Sequence, residues 1–73
     1  MTKALHTDGY ERFKERLKEA REQSGLTQTE VAKKLGLPQS YVSKIESGER
    51  RVDAVELERL AKIYGKSVNY FLK

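Results

Sequence analysis

The chain has 73 residues, enough for one domain with a small core, because a chain this short buries only about 60% of its unfolded surface. It has no cysteine, which excludes a disulfide framework and a thiolate metal site, and no apolar run near the roughly 18–20 residues that cross a bilayer as a helix. The formal net charge of +4 favours an anionic partner, yet basic and acidic residues are mixed along the whole chain, so charge alone does not separate a nucleic-acid binder from a salt-laced helical surface. No signal peptide is visible, which makes the cytoplasm the expected compartment.

Residues 1–8 carry no anchoring pattern and are expected to form a disordered N-terminal arm; residues 9–73 are expected to form the domain. The first helix is predicted from about Gly9 to Ser24, with Asp8 and Glu11 as a capping pair. Phe13, Leu17, Ala20 and Ser24 share one face. Arg21 projects only about 40° from Leu17 on the helical wheel. An arginine turned inward needs a partner, since an unpaired buried charge is costly.

A second helix is predicted over Gln28 to Leu35, opened by the capping box Thr27–Glu30 and stapled by Leu26 with Val31. Val31, Ala32 and Leu35 face inward; Lys33 and Lys34 face water. Gly36-Leu37-Pro38 is a tight turn, with glycine where a left-handed residue ends a helix. Pro38 suits the first turn of the next helix, which needs no N–H there. That third helix is predicted over Gln39 to Ser47. Val42, Ile45 and Glu46 point one way, and Ser40, Ser43, Lys44 and Ser47 the other. Glu46 is therefore the expected partner of Arg21, in a partly buried ion pair between helices 1 and 3.

After the loop Gly48-Glu49-Arg50-Arg51, a fourth helix is predicted from Ala54 to Tyr64. It is opened by the box Asp53–Glu56, stapled by Val52 with Leu57, and apolar at Leu57, Leu60, Ala61 and Tyr64. A last short helix, Val68 to Leu72, follows Gly65 and Ser67. No stretch alternates as a strand would, so the fold class is all-α.

No constellation supports catalysis. The single histidine, His6, has no partner at ligand spacing and reads as a solvated tail residue or tag remnant. There is no glycine-rich phosphate loop and no nucleophile elbow, and helix caps and surfaces account for the carboxylates. No enzyme activity, metal or cofactor is expected. What remains is the outward face of helix 3. Two helices across a short glycine-containing turn form a helix-turn-helix unit, whose second helix enters the major groove with its first residues at base edges.

Gln39, Ser40, Ser43 and Lys44 are the candidate base-contacting residues; a glutamine amide donates to and accepts from adenine at once. Gln28 begins helix 2, where its amide and the first-turn N–H groups converge on a phosphate. Thr27 either reaches the same phosphate or caps the helix. Arg50 and Arg51 either meet backbone phosphates or form a solvated loop pair. Tyr41 either packs its ring or packs it and offers its hydroxyl to a phosphate.

The motifs SGLTQTEVAKKLGL, SYVSKIESGER and LERLAKIYGKSVNYFL, within Gln23–Leu72, resemble the phage-repressor-like, Cro/XRE-type helix-turn-helix domains. The resemblance implies a five-helix lambda-repressor-like fold that binds double-stranded DNA, often as a dimeric repressor. It implies that Gln28 clamps a phosphate. It places Gln39, Ser40, Ser43 and Lys44 at base-reading and adjacent backbone positions, and Arg21 with Glu46 at the interhelical ion pair. Pro38 departs from the family pattern, which has serine or threonine there.

The expected function is sequence-specific regulation of transcription as a homodimer on a two-fold operator. Tyr70, Phe71 and Leu72 either pair two copies or close the monomer core. The alternative from another class is an antitoxin-like module that masks a toxin, with DNA binding secondary.

Overall fold

The computed structural model describes residues 7–73. They form five helices: α1 (Asp8–Gln23), α2 (Gln28–Leu35), α3 (Gln39–Ser47), α4 (Ala54–Tyr64) and α5 (Val68–Leu72). Among the described residues there is no strand, and no helix is long and apolar enough to cross a membrane. His6 and residues 1–6 of the expected N-terminal arm lie outside the described residues.

Four of the five helices keep the bounds expected from their start and stop signals. Both complete capping boxes form: Thr27 and Asp53 each accept the N–H of the glutamate three residues on, and that glutamate takes the cap's own N–H in return. Helix α1 differs. Its cap is Thr7, in extended conformation, whose Oγ1 accepts from the Tyr10 N–H at 3.2 Å. Asp8 lies inside the first turn instead of capping it, beside Glu11, where both carboxylates favour the positive end of the helix dipole.

The turn between α2 and α3 is fixed by backbone chemistry. Gly36 takes the left-handed conformation (φ 74°), and the Leu37 N–H donates back to the Ala32 carbonyl at 3.0 Å. Leu37 then tucks against the core. Pro38 precedes the helix directly. It is the N-cap itself, at ψ 152°, and its ring offers no side-chain bond to the first turn of α3. The helix therefore starts at Gln39.

The apolar faces meet in one core. Leu17, Val31, Val42, Ile45, Leu60 and Phe71 are its largest fully buried side chains, drawn from every helix. α1 packs on α3 and α5, α2 on α3 and α4, and α4 on α5. Fully burying one such side chain contributes about 1.5–3 kcal/mol, so these few residues carry much of a small margin. Helices α1, α4 and α5 thus form the support on which the α2–α3 pair is mounted.

Candidate nucleic-acid interface

Helix α3 divides sharply between its two faces. Tyr41, Val42 and Ile45 are buried; Gln39, Ser40 and Lys44 are exposed and Ser43 is half-buried. Among the described residues, none bonds to the side chains of Ser40, Ser43 or Lys44. Their donors and acceptors are free for a partner.

Beneath this face sits the ion pair. Arg21 Nε donates to Glu46 Oε2 at 2.7 Å and Nη2 to Oε1 at 3.1 Å, a two-point clasp with side chains only 12% and 6% exposed. The third arm of the guanidinium, Nη1, donates to the Leu26 carbonyl at 3.0 Å, just before α2. The hydrogen bond to Glu46 holds the Arg21 guanidinium more firmly protonated than usual, against the opposing effect of burial. Helices α1 and α3 and the entry to α2 are thereby tied at one point.

Gln28 extends this clasp to the surface. Its Nε2 donates to Glu46 Oε1 at 3.0 Å, and its Oε1 accepts from Gln39 Nε2 at 2.7 Å. The two glutamines expected to meet phosphate and base are thus bonded to each other. Among the described residues, nothing takes the backbone N–H groups of Gln28 and Thr29, so the start of α2 keeps two unpaired donors. Thr27 serves as the cap. Its hydroxyl oxygen accepts from Glu30 N–H at 3.1 Å, which leaves the hydroxyl proton for an acceptor outside the protein.

Tyr41, Arg50 and Glu56 form a second cluster. The Tyr41 ring is buried, and its hydroxyl donates to Glu56 Oε1 at 2.8 Å. Burial, and then that bond, push the hydroxyl well above its ordinary range. Its only proton is given to Glu56, so donation to a phosphate requires that bond to break. Arg50 lies over the Tyr41 ring at 5.1 Å and donates to Glu56 Oε2 at 3.3 Å. Its side chain stays half exposed. Leu37, Pro38, Ser40, Tyr41, Lys44, Arg50 and Glu56 line a shallow cleft beside the start of α3.

Arg51 parts from its neighbour. It lies over Tyr10 at 4.3 Å, beside the beginning of α1. The two arginines expected to act together therefore project to different sides of the loop.

Three positioning residues escape a reading along the chain. Arg59 Nη2 donates to the Leu35 carbonyl at 2.6 Å and closes the end of α2 from α4. Lys14, on α1, reaches the Ser47 carbonyl at 3.5 Å and packs against Gly48, where a Cβ would meet its chain at 2.8 Å. A cation at the C-terminus of a helix favours the dipole. Glu56 was visible as half of a capping box, but its bonds to Tyr41 and Arg50 come from residues distant along the chain.

The C-terminal helix divides its three apolar residues between core and surface. Phe71 is 1% exposed and closes the monomer core, and Tyr70 packs edge-on against it at 5.0 Å while donating to Glu19 Oε1 at 3.2 Å. Of the three residues considered for pairing, Tyr70 stays half-buried and Leu72, 64% exposed, is left outside. The exposed apolar surface is smaller than the sequence suggests, because α1 supplies the cover. Among the described residues, no group of His, Cys, Asp or Glu side chains could hold a metal ion.

Known proteins resemble this chain in sequence and in fold. A family model described as helix-turn-helix matches residues 17–71. Over 57 residues the chain is 40% identical to the HTH-type transcriptional regulator ImmR of Bacillus subtilis (strain 168), covering 78% of this chain and 45% of that protein. It is 38% identical over 61 residues to the uncharacterized HTH-type transcriptional regulator YqaE of the same organism, covering 84% of this chain and 53% of that one. The chain thus spans about half the length of these two curated relatives. A solved structure, an XRE-family like protein from Pseudomonas syringae pv. tomato str. DC3000, matches with a TM-score of 0.84 at 41% identity, over 97% of this chain and 87% of that one.

Proposed function

The chain belongs to the XRE-type helix-turn-helix family, and from that membership we propose that it binds double-stranded DNA in a sequence-specific way to regulate transcription. One observation carries the reading: the first turns of α3 present Gln39, Ser40, Ser43 and Lys44 outward, while the opposite side of the helix is buried in the core. A rigid helix with short polar side chains at its start suits the major groove. The base contacts fall to those four residues. Gln28, the free amides of α2, the Thr27 hydroxyl and Arg50 hold the phosphates, and Arg51 takes the backbone on the α1 side. Phosphate contacts position the domain, and base contacts specify the site.

Repression is the simplest outcome, since occupying a site is all that a binding module has to do. The work is that of a binder rather than an enzyme, in the cytoplasm where bacterial DNA lies. A two-fold operator and a pair of domains about 34 Å apart complete the proposal. Leu72 is the part of α5 left to contribute to such a pair.

The test is titration into duplex DNA at two salt concentrations. Affinity should fall steeply with salt, with a logarithmic slope near −0.9 per phosphate contact. Gln39→Ala should relax preference at one base position by about 1–3 kcal/mol, whereas Arg50→Ala and Arg51→Ala should weaken all sequences alike. No binding at low salt would remove the proposal altogether.

A further inference from the structure

The surface glutamine Gln39 is joined to the part-buried pair Arg21–Glu46 by an unbroken chain of hydrogen bonds, and that chain has a direction. Arg21 can only donate, and the Glu46 carboxylate can only accept. Glu46 Oε1 receives both Arg21 Nη2 at 3.1 Å and Gln28 Nε2 at 3.0 Å. An amide set against a carboxylate has to turn its nitrogen toward it. The oxygen of Gln28 is therefore forced to the other side, where it faces Gln39. Gln39 must in turn offer its nitrogen, and it does, at 2.7 Å. That leaves Gln39 one N–H and its carbonyl oxygen for DNA. Adenine presents the complement, an N7 acceptor beside an N6 donor; guanine presents two acceptors, N7 and O6. Were Gln28 turned over, Gln39 would spend its oxygen on Gln28 and face the DNA with two N–H groups, the match for guanine.

We propose that Glu46, which is 6% exposed, is a specificity-determining positioning residue: its negative charge orients Gln28, and through it Gln39, so that α3 reads adenine and rejects guanine. The inference rests on the reading of Gln39 as a base-contacting residue. It adds that the choice of base is set one helix-depth below the surface. A carboxylate at position 46 does two separable things. It neutralises Arg21, and it dictates amide polarity.

Two variants separate those effects. Glu46→Gln keeps the shape but can offer Gln28 either an oxygen or a nitrogen. The double exchange Arg21→Glu with Glu46→Arg keeps an ion pair but presents donors to Gln28. Each is measured against four duplexes that differ only at the base pair where Gln39→Ala relaxes preference, with circular dichroism and thermal melting to confirm folding. The wild type should prefer adenine to guanine there by about tenfold or more, the scale of one good bidentate contact. Glu46→Gln should lower that ratio several-fold, and the double exchange should invert it. A purely structural role for Glu46 would weaken all four duplexes by one factor and leave the ratio untouched, and that result overturns the proposal. If the double exchange does not fold, the ratio for Glu46→Gln decides alone. A wild-type preference for a base other than adenine at this position also overturns the proposal, while leaving DNA binding in place. Failure of Gln39→Ala to change any position would overturn the underlying reading and the proposal with it.

Discussion

Removing the side chain of Arg21 should cost this protein about 3 kcal/mol, the lower end of the range for breaking a buried ion pair. The guanidinium is 12% exposed and makes three bonds, two to Glu46 and one to the Leu26 carbonyl. Arg21→Ala leaves a carboxylate that is 6% exposed with Gln28 Nε2 as its remaining donor. It also leaves the Leu26 carbonyl without that bond. The residual exposure of both groups lets water soften the penalty, which is why the lower end applies. A chain of 73 residues has a total stability of roughly 4–11 kcal/mol, so the loss is a large share of the whole. The melting temperature should fall by about 10–20 °C. Urea denaturation followed by circular dichroism measures the change, with an unaltered m-value confirming that only stability moved. The double replacement Arg21→Met with Glu46→Leu should recover part of the loss, because it leaves no orphaned charge. A loss below about 1 kcal/mol for Arg21→Ala would refute the reasoning, since that is the scale of a pair open to water.

The remaining predictions concern the core, one turn and pH. Phe71→Ala should cost about 3–5 kcal/mol through the cavity it opens, whereas Leu72→Ala should stay within about 0.5 kcal/mol of the parent. Light scattering over a concentration series then shows whether Leu72→Ala weakens any pairing; equal losses of stability for the two variants would contradict the burial described above. Gly48→Ala should destabilise by about 1–2 kcal/mol, because φ is +90° and the new Cβ also crowds Lys14. Gly36→Ala, also left-handed but open to solvent, isolates the backbone share, and a Gly48 cost below that of Gly36 would place Lys14 elsewhere. Burial, then the bond to Glu56, raise the Tyr41 hydroxyl above its ordinary 10.0, and burial does the same for Tyr64. In the unfolded chain both phenols ionise first, so their contribution is intact below about pH 10 and is lost as the pH rises beyond it. Tyr64→Phe should flatten that decline; a parent whose melting temperature is level between about pH 9 and 11 would argue against it.

Much of the fold was legible because its signals are local. A threonine or aspartate three residues before a glutamate closes a ring of bonds within one turn of chain, and no distant residue has to agree. Arg21 and Glu46 are far apart in sequence, yet helical phase turned both inward, and two inward charges of opposite sign have few other partners. The start of α1 was less legible. Thr7 and Asp8 are both competent caps one residue apart, and neighbouring residues do not say which one the packed helix will use. Tyr41 and the arginines after Gly48 were ambiguous for a related reason. Each has an apolar body and a polar tip, so its place depends on whether a ring or a carboxylate lies within reach.

By itself, then, the sequence determined the helices, their inward faces and the polar residues at the start of α3. These follow from hydrogen bonds and periodicities that span three or four residues. Tertiary structure decided the rest: Gln28 bonding Gln39, Glu56 claiming Tyr41 and Arg50, Lys14 lying over Gly48, and α1 holding Tyr70 through Glu19 and Arg16 while Phe71 fills the core and Leu72 stays exposed. Each of these depends on which side chains are brought together from separate helices. Only the packing of all five around one core specifies that.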